Sequence, residues 1–90
     1  MTLPKEIAIQ YAPIFVRMYK RLDKNLKEEI KDKIILFQDI AHHEKLKVHK
    51  LKGLSNVYSF SVNYKIRIVF EYATPNIVNL LYVGNHDDMY

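Results

Sequence analysis

The chain has 90 residues, 49% of them hydrophobic and 27% charged. That suits one soluble globular domain over 1–90 and leaves no room for a second core. Cysteine is absent, which excludes a disulfide framework, thiolate catalysis and zinc–cysteine sites and fits a reducing cytoplasm. Fourteen Lys and Arg against ten Asp and Glu give a formal charge of +4, a balance that suits a polyanionic partner such as RNA, DNA or an acidic protein segment.

The first residues, MTLPKEIAIQYAP, carry no basic segment followed by a long apolar run, so no signal peptide is expected. No apolar stretch approaches the roughly 20 residues of a transmembrane helix, and no membrane partner is expected. Glu6 to Tyr11 alternates, with Ile7, Ile9 and Tyr11 on one side, and predicts a strand. Pro13 stands where a helix can begin, because its missing N–H costs nothing in the first turn. Phe15, Met18 and Leu22 follow at helical spacing and predict a first helix over 13–22, ended by Asp23 or Asn25. Asn25 and Glu28 have the spacing of a capping box. Leu26, Ile30, Ile34, Phe37 and Ala41 then form one apolar stripe, predicting a second helix over 26–41 with its charged residues in solvent.

The segment HHEKLKVHKLKG follows, with Lys45, Lys47, Lys50 and Lys52 and three histidines interleaved with Leu46, Val48 and Leu51. Its alternation is imperfect, and it reads as an extended, partly anchored stretch ending at Gly53. Two readings compete. It is either a connector whose leucines tuck against the core, or a basic rim for phosphate contacts.

Three strands close the chain. Tyr58, Phe60 and Val62 share one face of the first, with Ser59, Ser61 and Asn63 on the other. In the second, Ile66, Ile68, Phe70 and Tyr72 oppose Lys65, Arg67, Val69 and Glu71. Thr74-Pro75-Asn76 is a turn. The third strand, 77–83, is apolar on both sides apart from Asn79, as expected of a covered strand. The order strand, two helices, three-strand antiparallel meander predicts an α+β layer with both helices on one sheet face.

Arg67 is either a solubilising residue on a polar strand face or a guanidinium on a rigid element, able to clamp a phosphate with Lys65 beside it. His86 is either an ordinary surface residue or a general acid or base at neutral pH, and Tyr90 follows one helical turn later. Adjacent His42 and His43 do not share a helix face, and no HExxH-like spacing exists, so neither metal nor cofactor is expected. Together these side chains permit metal-independent RNA cleavage. A base takes the 2′-OH proton, the alkoxide attacks phosphorus, and an acid protonates the leaving 5′-oxygen while cations hold the developing charge. An aromatic side chain can stack and orient the splayed base.

Three stretches resemble the RelE/ParE superfamily of type II toxin–antitoxin toxins, and within it the RelE/YafQ-like mRNA interferases. They are L-x-x-H-x-L-x-G at Leu46–Gly53, Y-x-I-R-I-V-F at Tyr64–Phe70, and V-G-x-H-x-x-x-Y at Val83–Tyr90. The resemblance runs from about Tyr11 to Tyr90. It implies a RelE-like fold and a ribosome-dependent endoribonuclease that cuts mRNA in the ribosomal A site. It also implies a cognate antitoxin that neutralises the toxin in a hetero-oligomer. By the resemblance, Arg67 matches the strand arginine of phosphate or transition-state contact, His86 the C-terminal acid or base of YafQ-like members, and Tyr90 the aromatic that follows it. His49 matches a histidine of the basic segment, with Lys47, Lys50, Lys52 and Lys65 as RNA-facing neighbours. The chain departs from the YafQ-like pattern in its second and third strands, where Ser61 or Val62 and Lys65 replace a histidine and an aspartate. The alternatives are a ParE-like inhibitor of DNA gyrase on the same fold, with no nuclease chemistry, and a domain that only pairs with an antitoxin.

Overall fold

The computed structural model describes residues 7–39, 43, 46–51, 53 and 56–85. Strand β1 (Ala8–Tyr11) leads into α1 (Pro13–Lys20) and α2 (Lys24–Gln38), followed by β2 (His49–Lys50), β3 (Val57–Ser61), β4 (Ile66–Thr74) and β5 (Ile77–Asn85). The expected α+β architecture is present, with a five-stranded sheet in the order β1-β5-β4-β3-β2. The sheet is wider than a three-strand meander on two counts. The first strand pairs in parallel with β5, Ala8 opposite Ile77, and part of the basic segment pairs antiparallel with β3 as β2.

Local chemistry explains the helices. Pro13 occupies the first position of α1, as predicted, and Arg17 and Lys20 in its last turn complement the partial negative charge there. The N-cap of α2 is Asp23, whose carboxylate accepts from the Leu26 N–H at 2.8 Å, so the helix starts before the predicted Asn25 box. It ends at Gln38, short of the predicted Ala41, which lies outside the described residues. His43 donates from Nε2 to the Phe37 carbonyl at 2.7 Å and stacks its ring on Phe37, closing the end of the helix.

Both helices contribute to one core. Phe15 from α1 and Ile30, Ile34 and Phe37 from α2 pack with Phe60, Ile68, Phe70, Val78, Leu80 and Val83 from the sheet. Phe37 stacks on Phe60 at 4.4 Å between ring centroids and meets Phe70 edge-on at 4.8 Å. Two hydrogen bonds tie the residue before β1 to the end of α2. The Ile7 N–H donates to the Gln38 carbonyl at 2.8 Å, and Gln38 Nε2 returns a bond to the Ile7 carbonyl. At the other end of α2, Asn63 Nδ2 donates to Glu29 Oε1 at 2.6 Å and pins the β3–β4 turn to the helix.

The two-sided apolarity of β5 has a geometric cause. Phe70 pairs with Leu80 but Val69 pairs with Tyr82, so Leu81 is an extra residue in a β-bulge. The bulge lets Leu80 and Val83, three residues apart, both enter the core while Tyr82 turns to the opposite face. Among the described residues no helix is long and apolar enough to cross a membrane.

Candidate functional site

The sheet face away from the helices is assembled by the strand register. Residues paired across neighbouring strands share a face, so His49, Ser59, Val69 and Tyr82 form one row across the sheet. Ser61, Arg67 and Gly84 form the next row, and Val57, Glu71 and Asn79 lie on the other side of the first.

Arg67 is not displayed on an open polar face. It is 3% exposed, and Ser59 beside it is fully buried. Its Nε donates to Ser59 Oγ at 2.9 Å, and its Nη2 donates to the Lys47 carbonyl at 2.6 Å and to the Ser59 carbonyl at 3.3 Å. A buried guanidinium is tolerable only with such partners, because an unpaired buried charge is expensive. The sequence pattern suggested an exposed face because Ser59, Ser61 and Arg67 are polar. The structure covers that face in part, with Val69 and Leu51 also buried there and outside the main core cluster.

The basic segment divides. Lys47 is exposed with a left-handed φ of 54°, and its carbonyl accepts from Arg67. His49 is exposed on the Arg67 face, opposite Ser59. Lys50 pairs with Tyr58 and therefore belongs to the helix-facing side at the sheet edge. Lys65 sits in the β3–β4 turn, its Nζ 5.5 Å from the centroid of the Tyr64 ring, and Tyr64 is 84% exposed. Asn63 Oδ1 accepts from the Lys65 and Ile66 N–H groups and stiffens that turn.

Arg67, Lys47 and His49 are thus brought together, with Lys65 at the nearby hairpin end and Lys50 turned aside. Lys52, His86 and Tyr90 lie outside the described residues. Strand β5 ends with Gly84 opposite Arg67 and Asn85 opposite Ile66. Sequence reasoning missed Ser59 as the hydroxyl that seats the arginine, and Tyr82, a 38% exposed ring in the His49 row. The parity between Ser59 and Ser61 carried a signal for the first. The bulge at Leu81 hid the second. Among the described residues no group of three or more His, Cys, Asp or Glu side chains is placed to hold a metal ion.

Solved structures carry the same architecture. The E. coli DinJ–YafQ toxin–antitoxin complex matches at 17% identity over 94% of this chain and 98% of that one, with a TM-score of 0.73. The fold is that of the RelE-like toxins. The archaeal RelE–RelB complex from Pyrococcus horikoshii OT3 matches at 17% identity over 89% and 94% of the two chains, TM-score 0.65. The YoeB dimer from Staphylococcus aureus matches at 25% identity over 90% and 98%, TM-score 0.65. No protein-family model matches the sequence, and no curated protein matches it.

Proposed function

We propose that the chain, as one RelE/ParE-like domain over 1–90, is the toxin of a type II toxin–antitoxin pair and a ribosome-dependent mRNA endoribonuclease. The observation that carries this reading is a basic sheet face, built on buried Arg67 and edged by Lys47 and His49, in a fold shared with YafQ, RelE and YoeB. Such a face suits a phosphate backbone, and cations near a cleaved phosphate stabilise its added charge.

In this mechanism His86 serves as acid or base and Tyr90 stacks and orients the base at the cut. Lys47, His49, Lys52 and Lys65 hold the RNA, and Arg67 is the fixed positive charge beneath it. The 2′-oxygen loses its proton and attacks the adjacent phosphorus, and the P–O5′ bond breaks as the 5′-oxygen gains a proton. The products are a 2′,3′-cyclic phosphate and a free 5′-hydroxyl, with no metal required. A cognate antitoxin with acidic and apolar segments neutralises the toxin in a hetero-oligomer in the cytoplasm.

Purified ribosomes programmed with mRNA test the reading. Wild type should cut the message and leave a cyclic phosphate, and a 2′-deoxy substitution at the cut should abolish cleavage. His86→Ala should slow cleavage by about 10²–10⁴-fold, the usual share of a general acid or base. An intact message together with loss of supercoiling by DNA gyrase would replace this reading with the ParE-like one.

A further inference from the structure

We infer that Arg67 is a positioning residue that latches the basic segment onto the sheet and so sets the geometry of Lys47 and His49 toward RNA. The RNA half of this inference rests on the nuclease reading above, whereas the latch itself does not. Three observations converge on it. The guanidinium is almost fully buried and bonds in two directions at once, through Nε to the Ser59 hydroxyl on β3 and through Nη2 to the Lys47 carbonyl. A planar fork with fixed donor directions can bridge two such acceptors, which an ammonium cannot do with the same geometry.

The second observation is the backbone of Lys47, whose φ of 54° is unfavourable for a residue with a Cβ and persists only where its surroundings enforce it. The charged hydrogen bond to its carbonyl holds it there, together with the Val48 N–H bond to the His43 carbonyl at 3.3 Å that closes the same turn. The third is how few backbone hydrogen bonds join this segment to β3, although Leu46 and Leu51 bury their side chains. Strand β2 is two residues long, and its flanks add the Ser61 N–H to the Leu46 carbonyl at 2.8 Å and the Leu51 N–H to the Val57 carbonyl at 2.9 Å. A two-residue edge strand has little cooperative strength of its own. Arg67 reaches it from β4, across β3, and so ties the edge of the sheet to its middle strand.

Hydrogen exchange and RNA binding test the two halves separately. In Arg67→Met the amides of Ser61 and Leu51 should exchange at least about 10-fold faster, while that of Leu80 changes by less than about 2-fold. Arg67→Lys should resemble Arg67→Met, because it keeps the charge and loses the fork. Should Arg67→Met fail to fold, Ser59→Ala removes one seat of the guanidinium and should speed the same two amides by at least about 5-fold. Unchanged protection of Ser61 and Leu51 in the folded variant would overturn the latch.

For the RNA half, a single-stranded RNA oligomer is titrated over a range of salt. Lys47→Ala should lower the salt slope of wild type by about 0.7, the share of one phosphate contact on a single strand. In the Arg67→Met background the same change should have less than about half that effect, because the segment is already displaced. Full additivity would overturn positioning and leave Arg67 as an independent phosphate contact. Wild type that neither binds RNA nor cuts ribosome-bound mRNA would sink the nuclease reading, and the exchange result would still decide the latch.

Discussion

The two faces of the sheet are stabilised in different ways. The helix-covered face is held by aromatic and aliphatic packing, with Phe37, Phe60 and Phe70 in mutual contact and Ile68, Val78 and Leu80 fully buried around them. The other face is held by a few directed bonds around one buried cation, Ser59 to Arg67 to the Lys47 carbonyl. Packing is non-directional and is felt by every neighbour, so damage there spreads through the molecule. A directed network fails locally and releases only what it ties down. A binding surface gains from the second kind, since exposed Lys47 and His49 are held without being buried.

The largest effect expected from this contrast is on the packed face. Phe37→Ala should cost about 3–5 kcal/mol of unfolding free energy, and a denaturant titration should show one cooperative transition at lower midpoint. Next comes the network. Ser59→Ala should cost about 1–3 kcal/mol by leaving a buried donor of Arg67 without its acceptor, measured the same way. Equal losses at Phe37 and Ser59 would erase the distinction between the faces.

A smaller change should separate strain from charge at Lys47. Lys47→Gly should raise stability by about 0.5 kcal/mol by relieving the left-handed backbone, yet weaken RNA binding by removing a cation. The smallest effect concerns pH at the helix-facing side. Burial, with Tyr58 close by, holds the Tyr72 hydroxyl above its ordinary pKa of 10.0. The folded state therefore keeps a proton that the unfolded chain gives up. This contribution is complete below pH 10 and is lost as pH rises through the folded value. Tyr72→Phe should flatten the alkaline fall in stability, and a wild-type profile flat through that range would contradict it.

Much of the packed face was legible in the sequence because its periods are regular. The stripe Ile30, Ile34, Phe37 and the alternation Ile66, Ile68, Phe70 point at the core without ambiguity. The N-cap was misplaced because both Asp23 and Asn25 are good acceptors, and only the backbone decides between them. The outer side of the sheet was less legible. A polar residue in a strand reads as exposed unless its partners are known, and those of Arg67 lie 8 and 20 positions away in the chain. The bulge at Leu81 also broke the parity that would have placed Tyr82 in the His49 row.

The parallel pairing of β1 with β5 has a consequence for how the molecule is born. Ala8 to Tyr11 are synthesised well before their partners Ile77 to Leu80, which belong to β5. A contact this remote in sequence closes late, because the loop must be drawn together before any bond repays it. The described sheet therefore cannot be completed while a nascent chain still lacks β5, and β1 waits without its neighbour until then.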